Sequence, residues 1–284
     1  YKDFTQVIAA NTWGTIGRKR YYYANHVMQK SAWIYDGQNW YYMNAEGTPS
    51  TGWLEAGGRR YYLEADGKMV TGWRELDGGW RYFDASGAMT TGWQAVDGAW
   101  YYLDANGLMQ TGWQTIDGKR YYLESDGKMV TGWRDLDGAR YYFDAGGAMT
   151  TGWQAVDGAW YYLNEAGAMQ TGWQEIGGVW YYLNGSGVMQ TGWQEIGGAR
   201  YYLDASGAMA TGLRDVDGAR YYFDGSGKMA VNTVVTADGV IYVAGADGSC
   251  VPYVPEPAAQ GETDGAAAPD TESGGTPSGP SGQE

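Results

Sequence analysis

The sequence predicts an all-β protein, a β-solenoid of stacked 20-residue β-hairpin repeats with a disordered C-terminal tail. Three observations carry that expectation. A tryptophan returns every 20 residues, at Trp13, Trp33, Trp53, Trp73, Trp93, Trp113, Trp133, Trp153, Trp173 and Trp193, with no insertion or deletion in the repeat from about Asn11 to Gly248. Asp-Gly or Gly-Gly dipeptides separate pairs of short aromatic runs in most repeats. The composition sets 47 glycines, 15 tryptophans and 26 tyrosines against only 4 phenylalanines, which suits half-exposed rings and many turns better than one large dry core. Self-similarity at such a period marks a quasi-one-dimensional stack in which each unit is stabilised by its neighbours.

Taken in chain order, residues 1–11 read as an N-terminal remnant or linker, without a signal-peptide pattern. Residues 12–249 hold about twelve hairpin units, of which Thr91 to Gln110 is representative. Asp97-Gly98 between two apolar runs signals a two-residue hairpin turn. The register then pairs Val96 with Ala99, Ala95 with Trp100, Gln94 with Tyr101 and Trp93 with Tyr102. Alternation places Trp93, Trp100 and Tyr102 on one face and Val96, Tyr101 and Leu103 on the other. An isolated hairpin is marginal in water, so stacking must cover at least one of these faces. A polar turn from Asp104 to Gly107 and a recurring methionine, here Met109, lead into the next hairpin. The terminal units read as caps, with His26, Met28 and Lys30 altering the first linker and Val240, Ile241 and Val243 the last hairpin. Residues 250–284 form the expected disordered tail, acidic and rich in Pro, Gly, Ser and Ala.

The net charge of −14 argues against nucleic acid, which demands clustered basic residues, and accommodates a cationic partner. No apolar run is long enough for a transmembrane segment, and the single Cys250 cannot form an intrachain disulfide. His26 is the only histidine, so no catalytic triad, thiol–imidazole pair or metal-ligand cluster is expected, and no cofactor. The module is read as non-catalytic.

One position is a two-letter choice. Seven residues after the first-phase tryptophan stands Trp40, Trp80, Trp100, Trp160 or Trp180, or else Arg20, Arg60, Arg120, Arg140, Arg200 or Arg220. A position accepting either is exposed, and its tryptophans are the better candidates for binding. The first-phase tryptophans have two readings, packing between hairpins or ligand contact, and Leu213 in that phase shows that the ring is dispensable to the repeat. The first tyrosine of each pair, such as Tyr101 or Tyr121, is read as core. Arginine at the second phase would stack on sugars, reach a phosphate or remain a solvated charge.

The run from Thr91-Gly92-Trp93 through Thr111-Gly112-Trp113 resembles the choline-binding cell-wall repeats of bacterial surface proteins, over residues 12 to about 249. Glucan-binding repeats of glucosyltransferases and the carbohydrate-binding repeats of clostridial toxins look similar. The resemblance implies a left-handed solenoid with ligand held between successive hairpins. Two tryptophans of one hairpin, the second tyrosine of the next and a nearby methionine would form an open aromatic box. The implied boxes are Trp33, Trp40 and Tyr62; Trp73, Trp80 and Tyr102 with Met89; Trp93, Trp100 and Tyr122 with Met109; Trp153, Trp160 and Tyr182 with Met169; and Trp173, Trp180 and Tyr202 with Met189. A quaternary ammonium has no N–H to donate, so ring faces and apolar contact are the groups that recognise it. The implied role is attachment of a secreted protein to choline-decorated teichoic or lipoteichoic acid at the cell surface. Glucan binding and a purely structural stalk are the alternatives.

Overall fold

The computed structural model describes residues 11–255. They form twelve antiparallel sheets, ten of two strands and two of three. The described residues divide into two compact units, one running to Gly192 and taking in Leu203–Ala208, the other made of Trp193–Tyr202 and the residues from Met209 onward.

The representative hairpin pairs Gly92–Val96 with Ala99–Leu103 in the expected register, Trp93 opposite Tyr102 and Ala95 opposite Trp100. Its turn takes φ +50° at Asp97 and +80° at Gly98. Two consecutive left-handed residues define the mirror-image turn whose twist matches the flanking strands, and Asp-Gly is the dipeptide that tolerates it best.

From the second hairpin on, each hairpin of the first unit contributes one fully buried side chain at the end of its second strand: Met43, Leu63, Phe83, Leu103, Leu123, Phe143, Leu163 and Leu183. These residues form a file through the stack, flanked by buried side chains such as Val96, Ile116 and Val130. The linker docks twice. Met109 bridges Leu103 in its own unit, and its backbone N–H donates to the carbonyl of Trp80, in the preceding hairpin, at 2.8 Å. Gly107 closes the contact: at φ +73° a Cβ there would lie 2.6 Å from Met89 Sδ, so the methionine of one repeat packs directly on the backbone of the next.

The ends vary this scheme. Asn25 and His26, both at positive φ, turn the first linker so that Val27–Met28 becomes a third strand, and Met28 packs on Gly47. In the second unit Cys250–Pro252 pairs with Val240–Ala244. The expectation of a tail from residue 250 is corrected there: Cys250 is buried against Tyr242 and Ala244, and those contacts extend the last sheet. The remainder of the expected tail, from residue 256, lies outside the described residues, as do residues 1–10.

Candidate functional site

Ring contacts reveal which faces meet. Trp93 packs at 5.1 Å against Tyr102 of its own hairpin and at 4.9 Å, nearly edge-on, against Tyr121 of the next. Tyr102 shares Trp93's face, whereas Tyr121 belongs to the opposite face of its hairpin. The front of one hairpin therefore lies on the back of its successor. The same contact recurs for Trp33 with Tyr61, Trp73 with Tyr101, Trp113 with Tyr141, Trp133 with Tyr161 and Trp153 with Tyr181. First-phase tryptophans consequently pack between hairpins, each gaining about 0.5–1.5 kcal/mol per ring pair beyond the area buried.

The second-phase tryptophans stay half-exposed, with Trp80 at 45% and Trp100 at 48%. Trp153 and Trp160 stand at 84° with centroids 6.5 Å apart, two walls of an open corner. Cavities form at such corners. One of about 460 Å³ joins Trp73 and Trp80 to Tyr101, Met109, Ser125, Asp126 and Lys128. One of about 290 Å³ joins Trp93 and Trp100 to Tyr121, Met129, Ala145 and Gly146. The third, about 360 Å³, joins Trp153 and Trp160 to Tyr181, Met189, Ala205 and Ser206.

This arrangement corrects the expected boxes in three respects. The tyrosine is the first of its pair, not the second: Tyr102, Tyr122, Tyr182 and Tyr62 instead pack on the first-phase tryptophans of their own hairpins, at 5.1–5.3 Å, and Tyr202 does the same on Trp193 at 5.2 Å within the second unit. Front-to-back stacking demands a back-face tyrosine, so Tyr101 and Tyr121 are walls of the corner rather than core. The methionine also comes from one linker later. Met109 serves Trp73 and Trp80 because its N–H reaches back to the Trp80 carbonyl; Met129 reaches Trp100 and Met189 reaches Trp160 in the same way. Met89 lies beside Arg60, and Met169 donates its N–H to Arg140. Finally, the turn of a third repeat supplies the rim, which no two-hairpin scheme includes.

Other expected residues keep parts of this geometry. Trp33 contacts Tyr61 at 4.8 Å, the Trp40 carbonyl accepts from Met69, and Tyr35 lies 5.3 Å from the Trp40 ring. Trp173 and Trp180 share one face of their hairpin, as Tyr182 opposite Trp173 and Trp180 opposite Glu175 require.

The rims differ in charge. Lys128 meets Asp126 at 2.7 Å at the Trp73 corner, and that hydrogen-bonded contact holds the lysine above and the carboxyl below their ordinary pKa values. The Trp93 and Trp153 corners have neutral rims.

Arginine hairpins close the corner from within. The guanidinium carbon of Arg20 lies 4.1 Å from the Trp13 ring centroid, Arg60 4.6 Å from Trp53, Arg120 4.3 Å from Trp113, and Arg140 5.1 Å from Trp133. In the second unit Arg200 covers Trp193 at 4.6 Å. Each arginine rests on the ring that would be the first wall, so a cation from the same hairpin takes the place a ligand cation would need. Where Leu213 removes the ring, Arg220 turns to Asp215 instead, with bonds of 2.7 and 2.9 Å. Among the described residues no cluster of His, Cys, Asp or Glu could hold a metal, and no helix is long and apolar enough to cross a membrane.

Stacked hairpins that present aromatic corners define a repeat-built binding module. The chain belongs to the choline-binding repeat family: the choline-binding repeat model matches residues 50–91, 90–130, 110–151, 130–170, 150–189 and 170–212, and a putative cell wall binding repeat matches 31–48 and 211–229. Such repeats are non-catalytic modules that attach proteins to the bacterial cell surface. Similar solved structures include CbpJ from Streptococcus pneumoniae, at 31% identity and TM-score 0.64 over 85% of this chain and 100% of that one. Choline binding protein F of the same organism, solved with a peptidoglycan analogue, is 32% identical with TM-score 0.60 over 86% and 99% of the two chains. The modular autolysin LytC of S. pneumoniae, in complex with a synthetic peptidoglycan ligand, is 30% identical with TM-score 0.53 over 78% of this chain and 52% of that one. No curated protein sequence matches.

Proposed function

We propose that this chain anchors a secreted protein to choline-decorated teichoic or lipoteichoic acid, each trimethylammonium group entering one tryptophan corner of a hairpin solenoid. The observation that carries the reading is the open pair of perpendicular indoles backed by a tyrosine and a methionine, with no charged donor inside the walls. The binding groups are Trp73, Trp80, Tyr101 and Met109; Trp93, Trp100, Tyr121 and Met129; and Trp153, Trp160, Tyr181 and Met189. Trp33 and Trp40 act with Tyr61 and Met69 in the same way.

A desolvated cation–π contact contributes about 2 kcal/mol, so a single corner binds weakly. Several corners on one scaffold, meeting a repetitive polymer, raise avidity by roughly 10²–10⁴. Glucan binding by ring stacking is less well supported, because the arginines that motivate it lie on the very ring faces a sugar would use. Calorimetry and tryptophan fluorescence with free choline test the reading, with dextran oligomers as the competing ligand. Saturable choline binding at several sites supports it; a response to dextran and none to choline removes it.

A further inference from the structure

The Trp53 hairpin departs from both kinds of unit. Arg60 lies on the Trp53 ring at 4.6 Å, and the next hairpin supplies Arg81 at the position where every other hairpin from Trp13 to Leu213 has the first tyrosine of its pair. The Arg81 guanidinium lies 5.4 Å from the same ring, so two arginines share one indole. Arg81 also stands directly opposite Arg74, and like charges facing one another across strands destabilise a hairpin. Arg74 pairs with Glu64 and Arg81 Nη1 donates to the Leu76 carbonyl, while Arg81 Nε is buried without an acceptor.

Arg60 also lines an open cleft of about 380 Å³, together with Arg59, Asp84, Met89, Thr91 and Ala105, among others. Arg60, Met89 and Ala105 are the residues one repeat before Trp80, Met109 and Ser125, so the cleft overlaps the place where the Trp73 corner has its second wall, methionine and rim. It carries Arg59 and Arg60 against one carboxylate, Asp84, which feels the charge of Arg59, where the Trp73 corner has the balanced pair Asp126 and Lys128. Asp84 is engaged by Ser86 and by the Ala88 N–H, and Glu55 reaches Arg60 only at 3.8 Å with its side chain 81% exposed.

We propose that the cleft lined by Arg59 and Arg60 is an anion site, which takes a phosphate group through these two guanidinium groups. A guanidinium over an indole face still has N–H groups to offer an oxyanion, with which it forms short charge-assisted bonds. Arg81 adds a second positive charge near the ring, whose indole N–H donates to Asp77 at 3.2 Å, and takes away the tyrosine that a trimethylammonium would contact. Phosphate binding stands on this geometry alone; its extension to the phosphates of a teichoic acid rests on the function proposed above.

The test is titration of the full chain with inorganic phosphate at constant ionic strength, read on the tryptophan indole N–H signals in nuclear magnetic resonance. The Trp53 signal should move and saturate, and Arg59→Gln with Arg60→Gln should weaken that response by about tenfold or more. Arg81→Tyr restores the repeat's usual residue, keeps the fold, and should weaken phosphate by a smaller factor. Arg60→Trp combined with Arg81→Tyr should abolish the phosphate response and add one choline per chain. A silent Trp53, an equal response at Trp113 and Trp133, or a Trp53 response that survives Arg59→Gln with Arg60→Gln overturns the anion site. Failure of the unsubstituted chain to bind choline would instead remove the ammonium reading and leave the phosphate result standing.

Discussion

In the Trp93 hairpin residue 100 is tryptophan and its ring is 48% exposed; in the next hairpin residue 120 is arginine, laid 4.3 Å from Trp113. Length, turn, register and buried leucine are the same in both. One side chain thus decides whether the corner is open or filled. The fold tolerates both because residue 100 or 120 points from the strand toward solvent, whereas the contacts that hold the repeat together lie at Trp93, Tyr121 and Leu103 and their equivalents. Leu103 and Leu123 therefore serve stability alone and residue 100 or 120 sets whether the corner is open, whereas Trp93 and Tyr121 both pack the repeats and line the corner.

The largest expected effect concerns what the two hairpins share. Leu103→Ala and Leu123→Ala should each destabilise the chain by about 2–5 kcal/mol, and by similar amounts, since both side chains are fully buried in equivalent surroundings. Urea denaturation measures this, and a large disparity would break the equivalence of the two units.

Next comes the difference itself. Trp100→Arg should remove one choline site and lower affinity at that corner about thirtyfold, the loss of roughly 2 kcal/mol of cation–π contact, while the melting temperature changes little. Unchanged stoichiometry by calorimetry would mean that the second wall is dispensable. The converse substitution, Arg120→Trp, should create a weak new site from Trp113, Tyr141 and Met149, and crystals soaked with choline would reveal density there.

A subtler comparison separates the adjacent tyrosines. Tyr121→Ala should weaken choline binding at the Trp93 corner more than it lowers stability, whereas Tyr122→Ala should chiefly remove the ring pair with Trp113, worth about 0.5–1.5 kcal/mol. Equal effects of both on binding would restore the second tyrosine to the site.

The smallest effect lies in the turn of the Trp33 hairpin, where Asp36 accepts a hydrogen bond from the Trp13 indole of the first hairpin. Burial pushes the Asp36 carboxyl up, but hydrogen bonds from the N–H groups of Asn39 and Gln38 and from the Trp13 indole outweigh it, leaving the pKa below 3.8. A depressed folded-state pKa contributes stability that is present above the unfolded value and lost as pH falls through the folded one. The stability difference between the parent chain and Asp36→Ala should therefore shrink as pH drops below 3.8, followed by thermal melts. A difference independent of pH would assign Asp36 a purely steric role.

The hairpin register, the Asp97-Gly98 turn, the faces of Trp93, Trp100 and Tyr102, and the two-letter position were all legible in the sequence, because each depends on local backbone geometry with a period of two residues or of 20. Even the tyrosine of the corner could have been found: front-to-back stacking of identical units requires a partner from the opposite face, which selects Tyr121 over Tyr122. The methionine shift and the third-repeat rim carry no such signal. They follow from how far a linker reaches across its neighbour, which the Met109–Trp80 and Met129–Trp100 backbone hydrogen bonds fix. The fate of the arginines likewise depended on tertiary packing. A sequence gives arginine a charge, but only the proximity of Trp113 at 4.3 Å turns that charge inward as a built-in occupant of its own corner. Local periodicity determined what each repeat is; the stacking distance between repeats decided which side chains meet.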